Sequence, residues 1–223
     1  MYTKLIYIVL FISLFSCKER DKNPETTPGY QYFPLDTTQR RVYEITTRNI
    51  NLVEDITRKY FQKEQIGDIF IVGQETVYML EKYIKLQESD NWSLLPDTVE
   101  TIRIVNGKLI QTENNIRYLK LIFPVLEGRQ WDGNIYNTQE EDIYTIKSLD
   151  QPFQFGNHFF EKTLLIEQAA DTVDLTKRDV RFEIYGYNTG LIYKRSSRVS
   201  LNFVTGDTLD GTILIQKFLH NAQ

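Results

Sequence analysis

Cysteine is nearly absent from this chain: Cys17 is the only one in 223 residues, which excludes an intramolecular disulfide. Histidine is almost as scarce, with His158 and His220 alone. A histidine-rich metal centre is therefore excluded, and the usual nitrogen and sulfur ligands of zinc are nearly missing. Basic charge is not in excess either. The formal charge is −4, whereas nucleic acid rewards concentrated Lys and Arg, so nucleic acid is not an expected partner. The sequence carries no Gly-x-Ser-x-Gly elbow, no Gly-x-x-x-x-Gly-Lys phosphate loop and no dinucleotide fingerprint, and no cofactor is expected. Asp207, Asp210 and Gly211 share a turn, but without the spacing of a calcium loop. No repeat of fixed period emerges, which weighs against propellers and solenoids.

One long apolar run is present, at the start. Lys4 supplies a positive charge, Leu5 to Leu14 are nearly all apolar, and Leu14-Phe15-Ser16-Cys17 ends the run with a small residue before the cysteine. This reads as an export signal over residues 1–16, with Cys17 as the point of lipid attachment. A transmembrane anchor would need roughly 20 apolar residues, and the charged stretch from Lys18 to Lys22 cuts the run short. An ordinary secretory signal with a spare thiol is the other alternative. Several acyl chains on Cys17 would anchor the protein stably, at roughly 0.8 kcal/mol per buried methylene. Loss of Lys4 with the signal changes the formal charge from −4 to −5. Residues 17–29, rich in Lys, Glu, Asp, Thr and Pro, read as a lipidated flexible tether. Residues 30–223 read as one domain that begins near Tyr30.

Fourteen Tyr and thirteen Phe suit pleated sheets, where aromatic and β-branched side chains pack well. Val42 to Thr47 alternates, with Tyr43 and Ile45 on one face and Glu44 and Thr46 on the other, which is strand period. Asp55 to Lys63 repeats that style, and Gly67-Asp68 and Gly73-Gln74 punctuate the short apolar pieces after it. Thr76 to Leu86 fits either strand or helix, and its Val, Tyr and Ile content favours strand. Asn106-Gly107 between two alternating runs predicts a two-residue hairpin with a type I′ turn. Tyr118 to Phe123 is another apolar run, and Trp131 comes next in a turn-bounded loop and short strand. Ile143 to Leu149 alternates until Pro152 breaks it. His158 to Gln168 predicts a long strand with Phe160, Leu164 and Ile166 on one face. Val180 to Tyr187 and Leu191 to Phe203 flank a turn from Gly186 to Gly190, and Thr212 to Leu219 is the last strand candidate. The expected fold is mainly β: an antiparallel curved sheet, half-barrel or sandwich, with few or short helices.

Leu14-Phe15-Ser16-Cys17, the charged tether and the aromatic-rich strands together resemble the exported lipoproteins of Bacteroidota, many of unknown function. Trp131 with its neighbouring glycines, and the stretch from Glu183 to Lys194, are similar to segments of such lipoproteins. The resemblance implies a curved sheet or half-barrel of the kind seen in periplasmic lipid and lipoprotein carriers. It also implies a location in the cell envelope, lipid-anchored to the outer membrane on its periplasmic face or at the cell surface. Fold by itself does not carry function.

Two functions are consistent with these features. One is a non-enzymatic binding or assembly module, anchored through Cys17, that contacts an apolar ligand, a glycan or an envelope protein. Trp131, Tyr185 and Tyr187 are its candidate ligand-binding residues, because each sits beside glycines in an expected loop and offers a flat face for stacking. For Trp131 the first expectation is a plug in the core, since buried structural tryptophans are common, and a stacking platform is the functional alternative. The alternative is a hydrolase of envelope or imported polymers using two carboxylates, such as Glu161 and Glu183, which would have to lie about 5 to 9.5 Å apart.

Overall fold

The computed structural model describes residues 29–95, 100–169 and 174–222; Cys17, the expected signal and nearly all of the expected tether lie outside the described residues. A 3₁₀ turn, Tyr30–Tyr32, is followed by thirteen strands. They are β1 (Arg40–Ile50), β2 (Asp55–Val72), β3 (Glu75–Lys85), β4 (Ser93–Leu94), β5 (Glu100–Val105), β6 (Lys108–Glu113) and β7 (Ile116–Ile122). The second half supplies β8 (Gln130–Asp132), β9 (Ile143–Phe155), β10 (His158–Ala169), β11 (Lys177–Gly186), β12 (Gly190–Leu201) and β13 (Thr208–Ala222).

All pair antiparallel in one sheet of order β7-β6-β5-β3-β2-β1-β13-β12-β11-β10-β9-β8, with β4 paired to β3 off that path. The first half of the chain steps outward from β1 to one edge, and the second half starts at the other edge and steps back until β13 meets β1. The seven residues 123–129 thus connect one edge strand to the other. Seven residues reach at most about 25 Å, so the sheet must curl until its edges approach. The amide of Leu119 on β7 donates to the carbonyl of Gly133, just past β8, at 2.9 Å. The Trp131 indole N–H donates to the Leu119 carbonyl at 2.8 Å. The result is a nearly closed barrel-shaped sheet, the curved form of the expected fold rather than the sandwich.

The main core lies inside the curl. Ile102, Leu109, Ile146, Leu164 and Ile166 are fully buried there, and Tyr32 and Phe33 from the 3₁₀ turn insert into the same cluster. Asn188 fixes that turn by donating its amide to the Gln31 carbonyl at 2.8 Å. A second, aromatic cluster gathers Phe153, Phe155, Phe160, Phe182, Ile184 and Tyr193. Phe182 and Ile184 alternate with the interior residues Glu183 and Tyr185 on β11, so they face the other side of the sheet.

The expected hairpin is present, with φ of 50° at Asn106 and 72° at Gly107, as a type I′ turn requires. Thr76 to Leu86 is strand, within β3. Three local expectations differ. Gly67-Asp68 does not end a strand: β2 runs through it with a shift of register between Ile66 and Ile69, where the extra residues bulge. Pro152 does not break β9 either. It sits where the β9–β10 pairing is already irregular, between Phe160 and Thr163, and β8 pairs only with Ile143 to Thr145, so no ladder bond is demanded of its nitrogen. The same irregularity separates Phe160 from Leu164 and Ile166. The latter two lie in the main core, while Phe160 packs in the second cluster.

Trp131 is 7 % exposed, packs edge-to-face on Tyr144 and joins the two sheet edges. Trp131→Ala is expected to destabilise the fold by about 3–5 kcal/mol, measured as a lower urea midpoint. Trp131→Phe should lose less, because it keeps the ring and gives up only the bond to Leu119.

Candidate functional site

A strand that faces solvent on one side and core on the other alternates apolar and polar. In this barrel the interior row itself carries charge. Arg41 and Tyr43 on β1, Glu64 on β2, Lys82 on β3, Gln111 and Glu113 on β6 and Lys120 on β7 line one interior cavity of about 60 Å³, together with Glu183 and Tyr185 on β11, Lys194 on β12 and Gln216 on β13. Cross-strand pairing places several of them side by side: Arg41 opposite Glu64, Glu64 opposite Lys82, and Glu183 opposite Lys194.

The centre of this network is Glu183, 1 % exposed. Lys120 Nζ lies 2.7 Å from its Oε1, Lys194 Nζ lies 3.2 Å from the same oxygen, and the Tyr185 hydroxyl donates to Oε2. Burial pushes the carboxyl up, but the charges of Lys120 and Lys194 and the two hydrogen bonds outweigh it and hold Glu183 well below the usual carboxylate range. Burial likewise opposes the charge on Lys120, and Glu183 more than reverses it, raising the ammonium well above its ordinary value. Tyr185 is raised by burial and by the Glu183 charge and stays a neutral donor. A second group joins Lys82 to Glu100 and, at 3.8 Å, to Glu64. Gln111 donates to the other Glu100 oxygen at 2.9 Å. Burial raises the Glu100 carboxyl, against the pull of Lys82. Among the described residues no group of three His, Cys, Asp or Glu could hold a metal ion.

A second concavity lies on the opposite face of β9, β10 and β11. It is a cleft of about 450 Å³ with walls from Pro152, Phe153, Leu165, Val180, Phe182 and Ile184, and with Ser148, Gln151, Thr163 and Glu167 as its polar groups. It lies over the paired stretch of β10 and β11, where Leu165 stands opposite Ile184 and Glu167 opposite Phe182.

The three aromatic residues singled out by sequence do not come together in one surface. Trp131 is in β8 and buried. Tyr185 is in β11 rather than in a loop, 2 % exposed, with its ring 5.8 Å from Phe33, and it lines the interior cavity. Tyr187 is half-buried in the turn after β11, edge-on to Tyr32 at 5.5 Å, with Lys162 over its ring. Of the carboxylates, Glu183 is enclosed and ion-paired, whereas Glu161 is exposed on β10. Sequence reasoning missed Arg41, Lys82 and Lys120. A signal existed: Lys120 interrupts Tyr118 to Phe123, and Glu183 interrupts Phe182 to Tyr185, so two short apolar runs carry one opposite charge each.

Fold and cavity together define an antiparallel, nearly closed β-barrel with an ionised interior and an apolar outer cleft. No protein-family model matches the chain, and no curated protein sequence matches it. The chain is similar in structure to a candidate exported protein with a YmcC-like fold from Bacteroides fragilis, at a TM-score of 0.44 and 10% identity, over 86% of this chain and 98% of that one. Likeness at that level transfers neither a family nor a function.

The interior pairs set a pH profile. Because the folded Glu183 carboxyl is depressed, its contribution is complete above its ordinary value of 4.5 and is lost as pH falls toward the folded value. The raised Lys120 contributes fully below 10.5 and is lost as pH rises through its folded value. In the urea midpoint these two contributions are level between those limits and fall on both sides, while the raised Glu100 carboxyl subtracts stability as pH rises above its ordinary 4.5. Glu183→Gln is expected to cost about 3–5 kcal/mol on the plateau, because it strands a buried ammonium, and to make the acid limb shallower.

Proposed function

We propose that this protein is a non-enzymatic ligand-binding module of the cell envelope, held at a membrane by lipid on Cys17, whose outer cleft takes an apolar small molecule. The single observation that carries the reading is the cleft of about 450 Å³ between β9, β10 and β11. That volume is within the range of small-molecule sites, as is a lining of apolar walls with a few polar groups. A glycan would need many hydrogen-bond partners, and Phe153, Leu165, Phe182 and Ile184 provide none. An alkyl chain or fused apolar ring needs only the area these walls bury, at roughly 25 cal/mol per Å². The apolar run before Cys17 supports the membrane anchor, and an anchored barrel would meet such ligands at a lipid surface.

Two measurements test the reading. The full-length chain should bind a fluorescent fatty-acid analogue saturably, and Leu165→Glu, which places a charge in the cleft wall, should weaken binding about tenfold or more while unfolding stays cooperative. Equal binding by the variant would remove the cleft from the account. Intact mass and detergent partitioning should show several acyl chains on the native protein and none on Cys17→Ala; equal mass and solubility of the two would remove the anchor.

A further inference from the structure

We propose that the barrel interior is a second binding site, for a small carboxylate anion gripped by the Arg41 guanidinium in a cavity that the Gln216 amide also lines. Arg41 is 5 % exposed and borders the cavity of about 60 Å³. The other three cations on the cavity wall each have a carboxylate partner: Lys82 with Glu100, Lys120 with Glu183, and Lys194 with Glu183. The Arg41 side chain has no ion pair and no hydrogen bond among the described residues, and its Nε is enclosed with no acceptor. Its charge is felt by Asp36, but that carboxylate is exposed and accepts from Thr38. The neighbouring Tyr43 hydroxyl donates to the Leu191 carbonyl at 3.1 Å.

The fold makes room for this guanidinium. Gly190 has φ +88°, and a Cβ there would stand 2.5 Å from the Arg41 Nη1, so a side chain at that position would collide with it. Gln216, 7 % exposed, borders the same cavity, and its Nε2 is also enclosed without an acceptor. Both unmet groups at the cavity are thus donors. Buried donors without acceptors are costly, most of all when charged. None of the three carboxylates on the cavity wall bonds to them: Glu183 is held by Lys120 and Lys194, Glu113 faces Lys120, and Glu64 takes Lys82 and the Gln62 amide, both on Oε1.

What these two donors lack is a negatively charged acceptor within hydrogen-bond reach. The guanidinium fork matches a planar carboxylate with two parallel hydrogen bonds. A volume of about 60 Å³ is about twice the share of one water in the liquid, roughly 30 Å³, which suits a carboxylate with one or two carbons rather than a large ligand. Lys194 and Glu113, whose side chains are 26% and 28% exposed, mark where the cavity reaches solvent. This site is separate from the apolar cleft and does not depend on it.

The test uses the full-length chain labelled with ¹⁵N-glutamine, titrated with sodium acetate against sodium chloride at constant ionic strength. Acetate should shift the Gln216 side-chain amide signals saturably, and thermal unfolding should move upward with acetate as ligand linkage requires. Arg41→Met should weaken acetate at least tenfold, and Arg41→Lys, which keeps the charge without the fork, by several-fold. Arg58→Met, at an exposed position on β2, should leave it unchanged. Inorganic phosphate, bulkier and tetrahedral, should bind more weakly than acetate. Absence of a saturable shift in the wild type would overturn the proposal, as a cavity filled by solvent only. Unchanged acetate binding by Arg41→Met, or phosphate binding more tightly than acetate, would overturn it as well. Should Arg41→Met fail to fold, the wild-type titration and Arg41→Lys decide.

Discussion

The contact on which the rest of the structure depends is the buried pair between Lys120 on β7 and Glu183 on β11. These strands are not neighbours in the sheet, so the pair reaches across the interior and ties the half of the barrel that ends in β7 to the half that begins with β8. An isolated charge in that place would cost several kcal/mol. With both present at 2.7 Å, and with Tyr185 and Lys194 satisfying the remaining oxygen valences, the interior tolerates ionised side chains where a small barrel would ordinarily be filled by apolar ones. Closure of the sheet and neutrality of its interior are therefore one requirement. The edges meet through Leu119, the residue next to Lys120, whose amide reaches Gly133 and whose carbonyl accepts from Trp131.

Charge inside has a consequence outside. The interior rows of β9, β10 and β11 are committed to Ile146, Leu164, Ile166, Glu183 and Tyr185, all fully buried or nearly so. Their opposite rows would normally be polar and wet. Instead they carry Phe153, Leu165, Phe182 and Ile184, which form the second cluster with Phe155, Phe160 and Tyr193. The irregular pairing between Phe160 and Thr163 moves Phe160 from the interior row to this outer one. That slip of register thus brings Phe160 into the second cluster, where its ring meets Phe155 and Phe218. The interior thus combines an apolar cluster with an ionised cavity, and the two concavities, of opposite chemistry, share β11 as a common wall.

Much of this architecture was legible in the sequence, and the reasons are local. Alternation in Val42 to Thr47 gives β1 and its two faces, Asn106-Gly107 gives the β5–β6 hairpin, and the glycines at 186 and 190 mark the β11–β12 turn. Period-2 patterns and turn residues act over a few residues, so they survive without knowledge of the partner strand. The rest depends on pairing. Whether Gly67-Asp68 ends a strand or bulges within it is decided by β3, and whether Pro152 breaks a strand is decided by the absence of a demanding neighbour. Phe160 changes sides because of how β9 and β10 pair. The site was hidden for the same reason: Arg41, Lys120 and Glu183 lie far apart in sequence, where Glu183 is paired with Glu161 rather than with Lys120, and only closure of the sheet brings them together. Tyr185 was singled out for its glycine neighbours, yet its place beside Glu183 comes from strand alternation rather than from a loop.

A double-mutant cycle on Lys120 and Glu183 tests the organising role of the pair most directly. Urea unfolding of Lys120→Met, Glu183→Leu and the double variant would be measured at neutral pH. Each single change strands a buried charge, whereas the double change removes both, so the account expects the double variant to be more stable than either single one, with a coupling energy of about 2–3 kcal/mol. Additive losses, with the double variant as unstable as the sum of the singles, would contradict it: the two charges would then be independent, and the barrel would be held shut by its apolar interior alone.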